Sequence, residues 1–430
     1  MRRLKFLLIF LLTLYMAGRV YPQNVFLPNE KSITDSTNVV LQKAQVFYSE
    51  GEYVKAIEVI RSATSDTTSA EAFALLGMSY AGINDYENAF HFLRKACSAD
   101  TSNISYLFQL AKFSIQSGAI EEAKKEYEYI VAADSNYLPA LSQLAAIYYD
   151  QKSYERSQLH LKSILAINPR DYLANYYTGS ILIATGHKDS AIVFLNRSVL
   201  LNSNFVPALD LLASLYYTRN DYTGAVALYQ RASMLRPSTG DFIYKIGLCY
   251  RQEKDFEKAI LYFKKAITID SSNATYYGQL GYCYYFTANY DSSAAFCIKA
   301  IFYDDQNSSY YSNLALAYQK LDSVEQEIGV YSKMIGLHHP DEISNLYYQI
   351  GSLYFSKNRM SEAIIAYKKA LAIRPAYAAA FYFLGNSYEV ANNIPAAIKA
   401  YEEFIQLTAS DSTQKAMRES LKYRLKKLEQ

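Results

Sequence analysis

The sequence contains no tryptophan, and only four cysteines, nine prolines and sixteen glycines among 430 residues. Four cysteines are too few to hold a scaffold together by disulfides, and Cys97, Cys249, Cys283 and Cys297 show neither C-x-x-C nor zinc-ligand spacing. They read as small buried hydrophobes, with a bridge between Cys283 and Cys297 as the alternative. The scarcity of glycine and proline excludes a collagen-like or mostly looped chain. Charged residues are 20% against 51% hydrophobic, too apolar a balance for a disordered chain.

Charge of one sign is also lacking: the formal net charge is +2. Part of it sits at the N-terminus, where Arg2, Arg3 and Lys5 precede an apolar run from Phe6 to Met16 and the small residues Ala17 and Gly18. That run is short of the ~20 residues a membrane span needs. It has the basic, apolar and small-residue parts of a secretory signal, expected over residues 1–18, with retention as an N-terminal anchor as the alternative. No cysteine lies nearby to carry a lipid. Losing those three positive charges leaves −1, without the basic excess of a nucleic-acid binder. The expected location is exported, periplasmic or envelope-associated.

What is abundant is tyrosine, 43 residues of it, arranged periodically. Small residues recur at Gly77, Ala111, Ala145, Gly179, Ala213, Gly247, Gly281 and Ala315, each 34 after the last, and continue at Gly351 and Gly385. A second column follows twelve residues behind: Ala56, Ala89, Ala123, Ser157, Ala191, Ala225, Ala259, Ser293, Glu327, Ala363 and Ala397. Around each column apolar residues recur at three- and four-residue steps, predicting two amphipathic helices joined by a short polar turn. Antiparallel helices approach closely only where one side chain is small, so the columns mark the crossings. Tyrosines such as Tyr80, Tyr148, Tyr250 and Tyr354 stand three residues after the first column and fill the space beside it. One helix pair cannot bury such a face alone, and neighbours must stack.

The arrangement Ile246-Gly247, Tyr250, Phe256, Ala259, Phe263, Ala266 resembles the tetratricopeptide repeat (TPR). It returns in Gly351, Tyr354, Ala363, Tyr367, Ala370 and Pro375, and Pro169 and Pro237 hold the same closing position. The resemblance implies an all-α, right-handed α-solenoid superhelix of about eleven helix-turn-helix repeats from Thr37 to Asp411. After a polar linker at 19–36, repeats one to eight are expected over 37–307, an irregular ninth over 308–343, and two more over 344–411. The ninth has Glu327 in the small column and a two-residue insertion near Gly336, which predicts a local bend there. The tryptophan often found at the fourth repeat position is replaced by Phe73, Leu141, Leu209, Tyr277, Tyr311, Tyr347 and Phe381, among others. Residues 412–430 form a capping helix with Ala416, Leu421, Leu425 and Leu428 on one side, and its net charge of +4 allows peripheral membrane contact.

Catalytic motifs are missing: the chain has no H-E-x-x-H, no G-x-S-x-G and no phosphate-binding glycine loop. His338, His339, Asp341 and Glu342 are the one local metal-like cluster, read as a solvated loop. No enzyme activity, cofactor or metal is expected. The resemblance implies instead that repeat positions 2, 5, 9, 12 and 13 face a concave groove. Transferred here, they give Tyr48, Phe108, Tyr149, Tyr176, Tyr217, Tyr244, Arg251, Tyr282, Tyr285, Phe286, Tyr348, Phe355, Tyr382 and Asn386, with Lys112 and Asp210. The Lys and Asn clamp for acidic chaperone tails is absent from the first three repeats. An aromatic, hydroxyl-rich groove suits a protein or peptide segment held by apolar and hydrogen-bonding contacts, in a cell-envelope or secretion scaffold. A ligand-sensing or carbohydrate-contacting surface is the alternative.

Overall fold

The period of 34 has a direct structural origin. A first helix such as Ile104–Gln116 takes 13 residues, the turn three, the second helix Ile120–Ala133 fourteen, and four residues lead to Leu138. The same cadence runs from Ala70 to Tyr303. The computed structural model describes residues 35–63, 69–337 and 340–429, and these are α-helical with one short 3-10 turn and no strand. The signal segment, most of the linker and His338–His339 lie outside the described residues. No helix among the described residues is long and apolar enough to cross a membrane.

The chain forms two compact units, up to Ala208 and from Leu209, so the division falls in the helix Val206–Thr218. Within each unit, successive helices pack in chain order. Both small columns are buried. Ala56, Ala89, Ala123, Ala225, Ala259, Ala363 and Ala397 are fully inaccessible, and Ser157 donates to the Ala145 carbonyl across the crossing at 2.7 Å. A Cβ on Gly247 would lie 2.6 Å from the Phe263 ring, and one on Gly385 would lie 2.4 Å from the Tyr401 ring. At those crossings a large ring takes the volume that glycine leaves.

A third column, not foreseen from the sequence, closes each turn. Gly51, Asn84, Gly118, Lys152, Gly186, Asn220, Lys254, Ala288, Asp322, Asn358 and Asn392 all have positive φ. This left-handed residue reverses the chain between paired helices, and glycine and asparagine adopt it at least cost. Side chains then start the next helix: Asp85, Asp221, Asp255 and Asn289 each accept an amide N–H of its first turn.

The ninth pair absorbs its insertion by shortening one helix and lengthening the next. Val324–Met334 stops after 11 residues, while Pro340–Ser356 runs for 17. The final helix is Lys415–Leu428, after a 3-10 turn at Ser412–Gln414. Its buried face is Leu421 and Leu425, packed on Tyr401 and Phe404, with Leu428 partly buried. Ala416, expected on that face, is exposed. Arg418 instead turns back to the carbonyls of Thr408 and Asp411 and ties the helix to the preceding turn.

Candidate functional site

The expected groove residues lie on first helices, and nearly all are half-buried. In the first unit they pack edge to ring. Tyr48 sits 5.5 Å from Tyr53, and Phe108 lies 5.6 Å from Tyr127 and 5.7 Å from Tyr137. Tyr149 and Tyr176 meet through Tyr177, at 5.2 and 5.3 Å, and Tyr176 continues to Phe205 at 5.1 Å. Burial raises the hydroxyl pKa of Tyr48 and Tyr149 and depresses the Lys112 ammonium.

In the second unit an aromatic cluster centres on Phe286, and polar contacts join the first helices that precede it. Phe286 is 50% exposed, yet it stacks on Phe256 at 4.9 Å and touches Tyr282 at 4.7 Å and Tyr285 at 5.4 Å. The Arg251 guanidinium lies 5.5 Å over Tyr282 and donates to Gln279. Gln252 donates to the Tyr217 hydroxyl at 2.9 Å. Lys245 bridges Asp210 at 2.8 Å and Asp241 at 2.9 Å. Burial acts to lower its pKa, but the hydrogen bonds to the two carboxylates outweigh it and hold the ammonium above its ordinary value. Tyr244 is a packing residue, 5.0 Å from Tyr276 and 5.7 Å from Phe263, and burial pushes its hydroxyl up to about 12.

Further along the same unit, Tyr348, Phe355 and Tyr382 converge on Phe383, at 5.8, 6.4 and 5.3 Å. Asn386 is engaged from two sides: its amide oxygen accepts from Tyr401 at 2.8 Å and from Arg424 of the last helix at 3.4 Å. Arg424 also pairs with Glu389 at 2.9 Å, and Lys422 pairs with Glu419. With Arg418 on backbone carbonyls and Lys427 4.8 Å over the Tyr423 ring, four of that helix's six cations are engaged within the fold.

The residues missed from the sequence share one register, the sixth position of the repeat. It supplies Tyr177 and Phe383, the hubs of two ring clusters, as well as Lys245 and Gln279. The signal lay in the same 34-residue period, one helical turn from the second and ninth positions. The four cysteines are free thiols, three of them buried. Among the described residues no three His, Cys, Asp or Glu side chains converge on a metal-sized site.

Paired helices, two small columns and a repeated left-handed turn define a helical repeat protein. Residues 70–103, 208–241 and 241–273 match family models described as the tetratricopeptide repeat, and 351–389 match one described as a TPR repeat. The chain is a tetratricopeptide repeat protein. It is 25% identical over 199 residues to protein O-mannosyl-transferase TMTC1 of Homo sapiens, covering 45% of this chain and 23% of that protein. It is 21% identical over 204 residues to TPR repeat-containing protein YpiA of Bacillus subtilis (strain 168), covering 46% and 48%. The chain thus spans less than half the length of these curated relatives. Among solved structures, a tetratricopeptide repeat protein from Parabacteroides merdae ATCC 43184 is 18% identical, with a TM-score of 0.41, and covers 58% of this chain and 98% of that one. YrrB, described as a TPR protein with an unusual peptide-binding site, is 20% identical with a TM-score of 0.37, covering 43% and 94%. Repeats of this family support a protein-interaction scaffold.

Proposed function

We propose that this protein is an exported, non-catalytic scaffold that holds a peptide segment or protein partner on its first-helix face, within a cell-envelope or secretion assembly. The observation that carries the reading is the cluster of Phe286, Tyr282, Tyr285 and Arg251. A large ring half open to solvent, backed by packed aromatics and flanked by a guanidinium, is the composition that binding surfaces favour. Export rests on the basic and apolar N-terminal sequence. The non-catalytic role rests on the absence of any catalytic motif from a sequence that the repeat nearly fills. Transferase activity belongs to the human relative by its name, and the match covers 23% of that protein.

The test is a photo-crosslinking amino acid placed at position 286, and separately at the exposed position 261 on a second helix. Partners captured at 286 and not at 261, and lost when Tyr282→Ala and Arg251→Gln are combined, are the expected result. Identical captures from both positions would exclude the first-helix face. Tyr244 should be spared, because its removal strips a ring from the packing of Phe263 and Tyr276. N-terminal sequencing of the recovered protein checks export: a chain beginning at Met1 or Arg2 in the cytosolic fraction alone would sink that part.

A further inference from the structure

The repeat framework is interrupted by a polar residue at one position. Four residues before the first small column, other repeats place an apolar or aromatic side chain, including Phe73, Leu141, Leu209, Tyr277, Tyr347 and Phe381. The fifth repeat has Asn175, which is 1% exposed. Its Nδ2 donates to the carbonyls of Asp171 at 2.7 Å and Pro169 at 3.4 Å. Those two bonds orient the amide and leave Oδ1 buried with no partner. A buried acceptor without a donor is destabilising, so its presence needs a reason.

Beside it is a cavity of about 540 Å³ between the second helices Tyr154–Ile167 and Lys188–Leu201, with Asn175 in its lining. The volume falls in the ~300–1,000 Å³ range of small-molecule sites. Leu165 and Phe194 provide apolar wall, and Lys162 and Arg197 stand on the two opposing helices. Both cations are exposed, and neither is in an ion pair among the described residues. Arg197 is held 5.8 Å from the Phe194 ring. Two unpaired cations, an apolar wall and an orphan acceptor are complementary to one kind of molecule. The orphan amide occurs at this register in one repeat alone, which suits a compact ligand over an extended chain.

We propose that this cavity binds a small amphipathic acid that also carries an N–H or O–H donor. The acid group sits between Lys162 and Arg197, where charge-assisted hydrogen bonds are strongest. The apolar body lies on Leu165 and Phe194, and the donor satisfies Asn175 Oδ1. A small shift of the side chain that keeps both Nδ2 bonds presents Oδ1 to the ligand.

The probe is N-octanoylglycine, titrated calorimetrically into the full chain beside octanoate, which lacks the donor, and N-octanoylglycinamide, which lacks the acid. N-octanoylglycine should bind most tightly, octanoate several-fold more weakly, and the glycinamide about tenfold more weakly or not at all. Asn175→Leu supplies the apolar residue that other repeats use, so it should keep or raise the melting temperature while abolishing binding. Lys162→Gln combined with Arg197→Gln should weaken binding by at least about tenfold without loss of fold. No binding of N-octanoylglycine at millimolar concentration, or equal binding to wild type and Asn175→Leu, overturns the proposal. Equal affinity for octanoate overturns the role of Asn175. Tighter binding of an acidic hexapeptide than of any probe overturns the compact ligand.

Discussion

The eighth and ninth helix pairs hold corresponding residues at the same three crossing positions, and all three differ. In the eighth they are Gly281, Ser293 and Cys297; in the ninth, Ala315, Glu327 and Tyr331. A Cβ on Gly281 would lie 2.6 Å from the Cys297 sulfur and 3.1 Å from the Ser293 carbonyl, so that crossing has no room left. The ninth places a carboxyl in the same column at 2% exposure. It is tolerated because the Tyr331 hydroxyl, one turn on, donates to it at 3.2 Å. The comparison shows that the column asks for small side chains at the backbone approach, but accepts a long polar one where a partner is supplied four residues later.

The largest expected break is Gly281→Leu. It drives a side chain into the Cys297 sulfur and the facing backbone, wedging the eighth pair apart, and should cost about 3 kcal/mol, read as early urea unfolding and fast amide exchange in Tyr290–Tyr303. Ala315→Gly, the corresponding change in the ninth, should cost about 1 kcal/mol through helix propensity alone.

Next is Glu327→Ala, which should stabilise by roughly 1–3 kcal/mol at neutral pH by removing a buried carboxylate. The gain should depend on pH with a definite sign. Burial raises the Glu327 carboxyl above its ordinary value, and the Tyr331 hydrogen bond only partly offsets this. The folded state therefore keeps a proton that the unfolded chain releases near about pH 4.3. Wild-type stability is fullest below that pH and falls as pH rises through the raised folded pKa. The advantage of Glu327→Ala should then be small at acid pH, grow upward, and level off; an advantage that shrinks with rising pH would contradict the assignment. Tyr331→Phe should cost about 1 kcal/mol more in wild type than in Glu327→Ala, a coupling measured by the double-mutant cycle.

The smallest effects belong to the turns. Ala288 and Asp322 hold the left-handed position in the two pairs, at φ of 57° and 51°. Ala288→Gly should stabilise by about 1 kcal/mol, and Asp322→Gly by less, because aspartate already tolerates this region. Melting of the single variants checks the order.

The fold was legible because its determinants are local and repeated. Gly247, Ala259 and Phe263 recur with their neighbours at one spacing, and any one period implies the rest. The left-handed column was hidden because Gly, Asn, Lys, Ala and Asp share it, so no residue type marks it. The expected groove residues fall on first helices, but how exposed each one is depends on what neighbouring helices bring. Tyr244, at the fifth position, is packed between Phe263 and Tyr276, whereas Phe286, at the thirteenth, touches three rings and still stays half open. The cavity at Asn175 was beyond reach for a related reason. Lys162 and Arg197 stand 35 positions apart, and only the packing of second helices makes them face one space.

The buried thiols give the array a built-in clock for local opening. Cys249 lies in the first helix of the seventh pair and Cys283 and Cys297 in the two helices of the eighth; all three are fully inaccessible, and burial pushes each thiol up to about 12. In the closed state they are shielded and un-ionised, so a thiol reagent should count only the moments when the seventh and eighth pairs part. The unmodified chain can thus report, cysteine by cysteine, which part of the second unit breathes first and whether a bound partner slows it.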